Sequence, residues 1–133
     1  MACVRTVSLA VTINGKTGES FHPSRGLRQG DPLSPYLFLF TTDVLSALIQ
    51  EACASGNLTG IRLSHSGPSH SHLFFADDSL FFLKGFTANC SELMRILKVY
   101  CDASGQLVNL DKSSVFFSPN TPQALLRDDV VKV

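Results

Sequence analysis

The sequence has few charged residues and no net charge, and both shortages limit the partners that we expect for it. Charged residues make up 17% of its 133 residues, and 11 basic residues balance 11 acidic ones. A soluble domain usually has roughly 25% charged residues, so we expect part of the apolar surface to be covered by something outside this chain. A zero net charge gives no overall basic field that would indicate a nucleic-acid partner. Hydrophobic residues reach 44%, which excludes a disordered chain.

Paired cysteines and long uninterrupted apolar runs are also lacking. The four cysteines, at positions 3, 53, 90 and 101, form no CxxC pair and have no histidine at zinc-finger spacing, so we expect no structural zinc site. Thr41, Thr42, Asp43 and Ser46 interrupt the longest apolar stretch, residues 33–49, which therefore predicts no membrane span. No targeting signal is recognised, so we expect reduced thiols inside a cell and leave the compartment open.

Local patterns predict two helices. Apolar residues at three- and four-residue spacing favour a helix over 35–54 with a wide buried stripe and Ser34 as its cap. The residues of that stripe are Leu37, Phe40, Val44, Leu45, Leu48, Ile49 and Ala52. A second helix is expected over 89–103, with Asn89 and Glu92 forming a capping box. Its predicted inward residues are Leu93, Ile96, Leu97 and Tyr100, and glycines at 56 and 105 are placed to end the two helices.

The remaining segments favour strands. Asn14-Gly15 lies between two β-prone runs, residues 7–13 and the segment around Ser20–His22, and predicts a hairpin. Residues 60–63 predict a short strand. Aromatic runs over 73–76 and 79–83 predict a hairpin with both strands largely buried. Two more strands are expected over 107–109 and 114–117, and a short helix over 122–128. The order predicts an α+β fold, with two main helices on one face of a mostly antiparallel sheet.

Three stretches contain residues suited to chemistry. Asp77-Asp78 at the tip of an apolar hairpin offers the carboxylate oxygens that Mg²⁺ prefers, although Asp-Asp is also ordinary turn chemistry. In the loop 26–35, two glycines flank Arg28 and Gln29, which are donors suited to phosphate or a base edge; the alternative is a solvated connector. Lys112 is either a surface lysine or, if it faces the carboxylates, a proton donor.

Together and in this order, the stretches GLRQGDPLSP, FADD and SGQLVNLDKS resemble motifs B, C and D of the reverse transcriptase palm of non-LTR (LINE-type) retrotransposons, in a plant-like form. The resemblance covers residues 7–118 of what we expect to be one partial domain, residues 1–133. It implies Mg²⁺, with Mn²⁺ as a substitute, held by Asp77 and Asp78. It also implies contacts of Arg28, Gln29 and Gly30 with the nucleotide and template.

The same resemblance implies that Phe75 packs beside the nascent base pair and that Lys112 assists the leaving pyrophosphate. The implied partners are an RNA template, a DNA primer and a deoxynucleotide, without a membrane, and the family implies a nuclear location. Phe75 stands where the family usually has Tyr. We expect the three stretches to converge on one cleft.

Motif A, the upstream strand that carries another metal-binding Asp in the family, is not recognised here, and neither are the fingers and thumb. Two-metal phosphoryl transfer needs carboxylates from more than one strand, so we expect an inactive palm fragment that binds metal weakly. One alternative is a non-catalytic interaction module retained as a relic. Another is a small Mg²⁺-dependent nuclease, whose third carboxylate would come from Asp31, Asp43 or Asp111.

Overall fold

The computed structural model describes residues 7–24 and 26–121. Its strands are β1 (Leu9–Ile13), β2 (Lys16–Phe21), β3 (Ile61–Arg62), β4 (Ser69–His70), β5 (His72–Phe75) and β6 (Asp78–Phe81), and its helices are α1 (Ser34–Ala54), α2 (Thr87–Ser104) and a 3-10 turn (Leu110–Lys112). The predicted α+β class is confirmed. Among these residues, the strands form three antiparallel two-stranded pairs: β1–β2, β3–β4 and β5–β6.

The chain divides between Phe40 and Thr41 into two compact units, each described by itself. In the unit before this boundary, Asn14 (φ 49°) and Gly15 (φ 77°) reverse the chain between β1 and β2. Because this two-residue turn suffices, β2 begins at Lys16, opposite Ile13, and not near Ser20 as predicted. The Asn-Gly hairpin itself is confirmed.

The start of α1 differs from the prediction in its capping. The Ser34 hydroxyl donates a hydrogen bond to the carbonyl oxygen of Arg28 (2.7 Å), so its prediction as the helix cap is wrong. Asp31 instead accepts from the Leu33 backbone N–H through Oδ1 (2.8 Å). A carboxylate two residues before an amide forms such a turn readily, which frees Ser34 to tie the helix start to the preceding loop. The helix ends at Ala54, and Gly56 follows with φ 78°, as predicted.

The buried face of α1 is narrower than its apolar spacing predicts. Leu45, Ile49 and Ala52 are buried, whereas Phe40 is 69% and Val44 is 54% exposed. By length and composition alone, α1 would be long and apolar enough to cross a membrane, despite the polar residues that argued against a span. Core helices meet the same criterion, and the C-terminal half of α1 packs in the core.

The core of the unit that follows Thr41 lies between the C-terminal half of α1 and α2. Its buried members are Leu45, Ile49, Ala52, Leu58, Ile96 and Tyr100. The predicted inward face of α2 is confirmed, since Leu93 and Leu97 are partly buried against this cluster. The helix ends as predicted: Gly105 adopts φ 74° and its N–H donates to the carbonyl of Cys101.

The first turn of α2 shows that the predicted capping box is wrong. The helix begins at Thr87, and Phe86 stands at the cap position without a side-chain hydrogen bond. Glu92 pairs with Arg95 at 2.8 Å, and the hydrogen bond from this guanidinium lowers the pKa of the Glu92 carboxyl. A capping box requires Glu92 to bond back to the backbone of Asn89, but Glu92 instead pairs with Arg95 of the same helix.

Asn89 lies inside α2 and is 3% exposed. Its Oδ1 accepts from the Thr59 backbone N–H (3.0 Å), and its Nδ2 donates to the carbonyl oxygens of Lys84 (2.8 Å) and Thr59 (3.4 Å). The Lys84 N–H also donates to the Thr59 carbonyl (3.0 Å). One buried amide thus connects α2 to the segments that precede β3 and follow β6.

The strands predicted over 107–109 and 114–117 are wrong. The described chain is irregular there apart from the 3-10 turn Leu110–Lys112, and Leu107 (81%) and Phe116 (91%) are exposed. A strand needs a neighbour for its backbone groups, and no strand pairs with these segments within the described residues. The helix predicted over 122–128 lies outside the described residues.

We expect Asn89→Ala to lower the free energy of unfolding by about 1–3 kcal/mol, because it leaves the Thr59 N–H without its partner, whereas the Lys84 carbonyl keeps the Phe86 N–H (2.8 Å). Urea unfolding measures this difference. Asn57 is exposed, so the matched change Asn57→Ala should stay within about 0.5 kcal/mol of the parent. Equal losses in the two variants would contradict the role assigned to Asn89.

Candidate functional site

The β5–β6 hairpin brings Phe75, Asp77 and Asp78 together at its tip. Phe75 pairs with Asp78 across a turn formed by Ala76 and Asp77, and Leu73 pairs with Leu80. Paired residues share a face of the sheet, and alternate residues along a strand return to it. Leu73, Phe75, Asp78 and Leu80 therefore form one side of the hairpin, which we call the outer face.

The opposite side, the inner face, packs on the core. Phe74 and Phe81 are partly buried against the core cluster, and their rings meet edge to face with centroids 6.0 Å apart. On the outer face, Phe75 is 78% exposed and Leu73 is 57% exposed. The prediction that both strands are largely buried is wrong, because only the inner face has a neighbouring element in the described structure.

The turn at the tip is strained. Ala76 adopts φ 50°, a left-handed conformation that costs an L-residue with a side chain about 1–2 kcal/mol. Strained backbone of this kind occurs often at functional sites, where the surrounding structure holds it in place. Asp78, which follows this turn, pairs with Phe75 and so lies on the outer face, away from the aromatic residues of the inner face.

The two carboxylates are exposed, and within the described residues neither accepts a hydrogen bond nor forms an ion pair. Their donor type fits Mg²⁺, which commonly binds one or two carboxylates together with substrate phosphates. Their number is too small for a two-metal site. Across residues 7–24 and 26–121, no group of three or more His, Cys, Asp or Glu side chains is arranged to hold a metal ion.

His72, at the base of the hairpin, is a residue that the sequence analysis missed. Its Nε2 lies 2.9 Å from the Ser46 hydroxyl of α1, and its Nδ1 lies 2.9 Å from the Ser71 hydroxyl. Partial burial lowers the pKa of the imidazole below its ordinary value, so the fold favours the neutral ring. One feature of the sequence could have indicated it: alternate residues of a strand share a face, so His72 lies on the same face as Phe74.

The loop with Arg28, Gln29 and Gly30 belongs to the first unit, which ends at Phe40. All three residues are exposed and Gly30 adopts φ 82°. A Cβ at this glycine would meet nothing within 4 Å, so the backbone angle, and not space, favours glycine there. Arg28 and Gln29 line an open cavity of about 370 Å³, which apolar residues such as Leu9 also line.

Lys112 lies in the 3-10 turn, where its backbone N–H donates to Oδ1 of Asn109 (3.3 Å). Its side chain is exposed and pairs with neither Asp77 nor Asp78 in the described part of the chain. The convergence of Lys112, the Arg28–Gly30 loop and the hairpin tip on one cleft stays a prediction.

Comparisons with known proteins agree with the resemblance. The sequence profile of the family described as "Reverse transcriptase (RNA-dependent DNA polymerase)" matches residues 2–126. An uncharacterized mitochondrial protein of Arabidopsis thaliana is 55% identical over 71 residues, which cover 53% of this chain and 58% of that protein. The chain therefore matches less than two thirds of the length of that relative. No solved structure matches.

We expect Ala76→Gly to raise the free energy of unfolding by about 0.5–1 kcal/mol, because the relief of left-handed strain exceeds the entropic cost of glycine. Ala47→Gly is the matched control in an exposed position of α1, where the same change should lower stability by about 1 kcal/mol. Thermal or urea unfolding of both variants provides the comparison. Destabilisation by both changes would show that the tip is unstrained.

Proposed function

Because the chain belongs to the reverse transcriptase (RNA-dependent DNA polymerase) family, we propose that it forms part of the palm of a retrotransposon reverse transcriptase. In this proposal, the β5–β6 hairpin is the metal-binding element. The observation that carries it is the pair of adjacent, exposed and unpartnered carboxylates at a strained turn within the described chain. Such a pair is open to a divalent cation and has no structural role that a cation would disturb.

Asp77 is the principal metal ligand of the proposal, and Asp78 supports the same site. Bound Mg²⁺, or Mn²⁺ in its place, would neutralise charge on the phosphates of the incoming deoxynucleotide. Asp78 shares the outer face with Phe75, so a base pair stacked on the exposed Phe75 ring would lie beside the phosphates. This arrangement supports the role of Phe75 next to the nascent base pair.

Arg28, Gln29 and Gly30 supply contacts to the nucleotide and the template. The Arg28 guanidinium offers several N–H donors in a planar fork, which matches phosphate oxygens. The Gln29 amide can both donate to and accept from a base edge. These side chains line the open cavity of their own unit, which supports the proposal that they bind a ligand and are more than solvated.

The proposed parental reaction joins a primer 3′-hydroxyl to the α-phosphate of a deoxynucleotide, opposite an RNA template, and releases pyrophosphate. Lys112 donates a proton to the leaving pyrophosphate in this scheme. Its exposed ammonium group has no partner among the described ion pairs, which leaves it available for that role.

We also propose that these 133 residues are inactive by themselves. Asp77 and Asp78 come from one hairpin, whereas clamping two metal ions needs carboxylates from more than one strand. Part of the ligand set would therefore come from outside these residues. A non-catalytic interaction module is the second candidate, and the exposed apolar side chains of the outer face favour it.

Mn²⁺ titration tests the metal proposal. We expect weak binding by the parent chain, with paramagnetic broadening of the amide signals confined to the β5–β6 tip. Asp77→Asn should weaken this binding by about tenfold or more, which corresponds to about 1.4 kcal/mol. Asp102→Asn is the matched control, since Asp102 is exposed and pairs with Lys98 on α2. Identical binding by the parent and Asp77→Asn would remove Asp77 from the role and favour the interaction module.

Primer extension tests the proposed inactivity. The purified 133-residue chain, given Mg²⁺, an RNA template, a DNA primer and deoxynucleotides, should incorporate no nucleotide above background. A complete reverse transcriptase run in parallel establishes that the substrates are competent. Incorporation that depends on Mg²⁺ and is lost in Asp77→Asn would show that the chain holds a complete ligand set.

A further inference from the structure

In the described part of the chain, His72 gives the β5–β6 hairpin a polar attachment to α1. The Ser46 hydroxyl of α1 lies 2.9 Å from His72 Nε2 and also accepts from Gln50 Nε2 at 3.2 Å. On its other side, the imidazole contacts the Ser71 hydroxyl. Either neutral tautomer of the ring satisfies both serine contacts. The ring is also packed, since its centroid lies 4.7 Å from that of Phe74.

The position of this attachment matters for the tip. His72 is the first residue of β5 and pairs with Phe81, whereas Phe75 at the other end pairs with Asp78. At roughly 3.3 Å per residue, the two ends lie about 10 Å apart. A rotation of about 10° at the base would therefore displace Asp78 by about 2 Å. Ligand groups need positions defined to within about 0.5 Å.

The other contacts of the hairpin constrain its orientation less. The outer face is exposed, and the inner face rests on the core through the apolar rings of Phe74 and Phe81. Apolar packing is non-directional, so it constrains the angle of the hairpin less than a directional bond does, and the backbone bridge between Gly60 and Leu83 lies outside β5 and β6. A hydrogen bond of 2.9 Å depends on direction.

We propose that His72 is a positioning residue: through its Nε2 contact with Ser46, it fixes the angle of the β5–β6 hairpin on α1 and hence the place of Asp77 and Asp78. This inference rests on the proposed function for its effect on metal binding, but the angle itself can be measured without metal. His72 touches neither carboxylate in this scheme and acts only through the hairpin.

Two substitutions separate the contacts of the ring. The amide of His72→Gln can reach the place of Nε2 and keep the Ser46 contact, whereas the shorter His72→Asn can replace only Nδ1 and keep the Ser71 contact. We expect His72→Gln to bind Mn²⁺ like the parent. His72→Asn, His72→Ala and Ser46→Ala should each weaken binding about threefold or more, and the double variant His72→Ala/Ser46→Ala should weaken it no further. Ser71→Ala, which removes the other contact, should leave binding unchanged.

Residual dipolar couplings of the backbone amides in β5 and β6, relative to those in residues 41–54, report the hairpin angle without metal. They should change in His72→Asn and Ser46→Ala and stay at the parental values in His72→Gln and Ser71→Ala. Unchanged couplings in Ser46→Ala, or equal couplings in the Gln and Asn variants, would overturn the inference. If the parent binds no Mn²⁺ at the tip, the proposed metal role fails while the couplings still decide the role of His72.

Discussion

The hydrogen bonds of the Asn89 side chain are the interaction on which the unit after Thr41 depends. Thr59 lies just before β3 and Lys84 lies just after β6, and the Thr59 N–H and the Lys84 carbonyl are not bonded within a strand pair. Asn89 supplies a donor and an acceptor to them from within α2. An apolar side chain would fill the same space and leave the Thr59 N–H without a partner, at a cost of about 1–3 kcal/mol. This amide therefore holds both ends of the strand region against α2, and the bridge between Gly60 and Leu83 continues from it.

The hairpin that carries the carboxylates extends from this anchored base with support on one side. Its inner face meets the core through Phe74 and Phe81, and His72 adds the directional contact to Ser46. Its outer face presents Leu73, Phe75 and Leu80 to solvent. Side chains of this kind are normally covered in a working assembly, which agrees with the low charge content of the sequence. Part of the apolar excess noted from composition thus lies on the hairpin that also presents Asp78.

Local signals in the sequence were sufficient where the structure is decided locally. The turn at Asn14 and Gly15, the extent of α1 and the stop at Gly105 follow from backbone preferences of a few residues, and all three were predicted.

The sequence signals failed where a distant partner decides the structure. Asn89 has the residue type of a cap, but its partners Thr59 and Lys84 are distant in sequence or lie before the helix, so spacing along α2 could not reveal them. Residues 107–117 have strand-like composition, yet strand formation needs a neighbour that composition cannot supply. For the site, the motif order predicted Asp77, Asp78 and Phe75 at one tip, whereas the role of His72 depends on a contact with another element.

The exposure of the carboxylate pair links its proposed metal affinity to whatever covers the outer face. Two unit charges about 4 Å apart repel by about 1 kcal/mol in water and by about 4 kcal/mol at an effective dielectric constant near 20. In the described structure, Asp77 and Asp78 are exposed, so the repulsion is small and the fold needs no cation to tolerate it. Covering Leu73, Phe75 and Leu80 would exclude water from the neighbouring carboxylates and raise the repulsion, which a divalent cation removes. The proposed weak metal binding by the exposed hairpin, and the stronger binding we expect once its outer face is covered, therefore follow from the same arrangement, in which an apolar face and a pair of carboxylates share one turn.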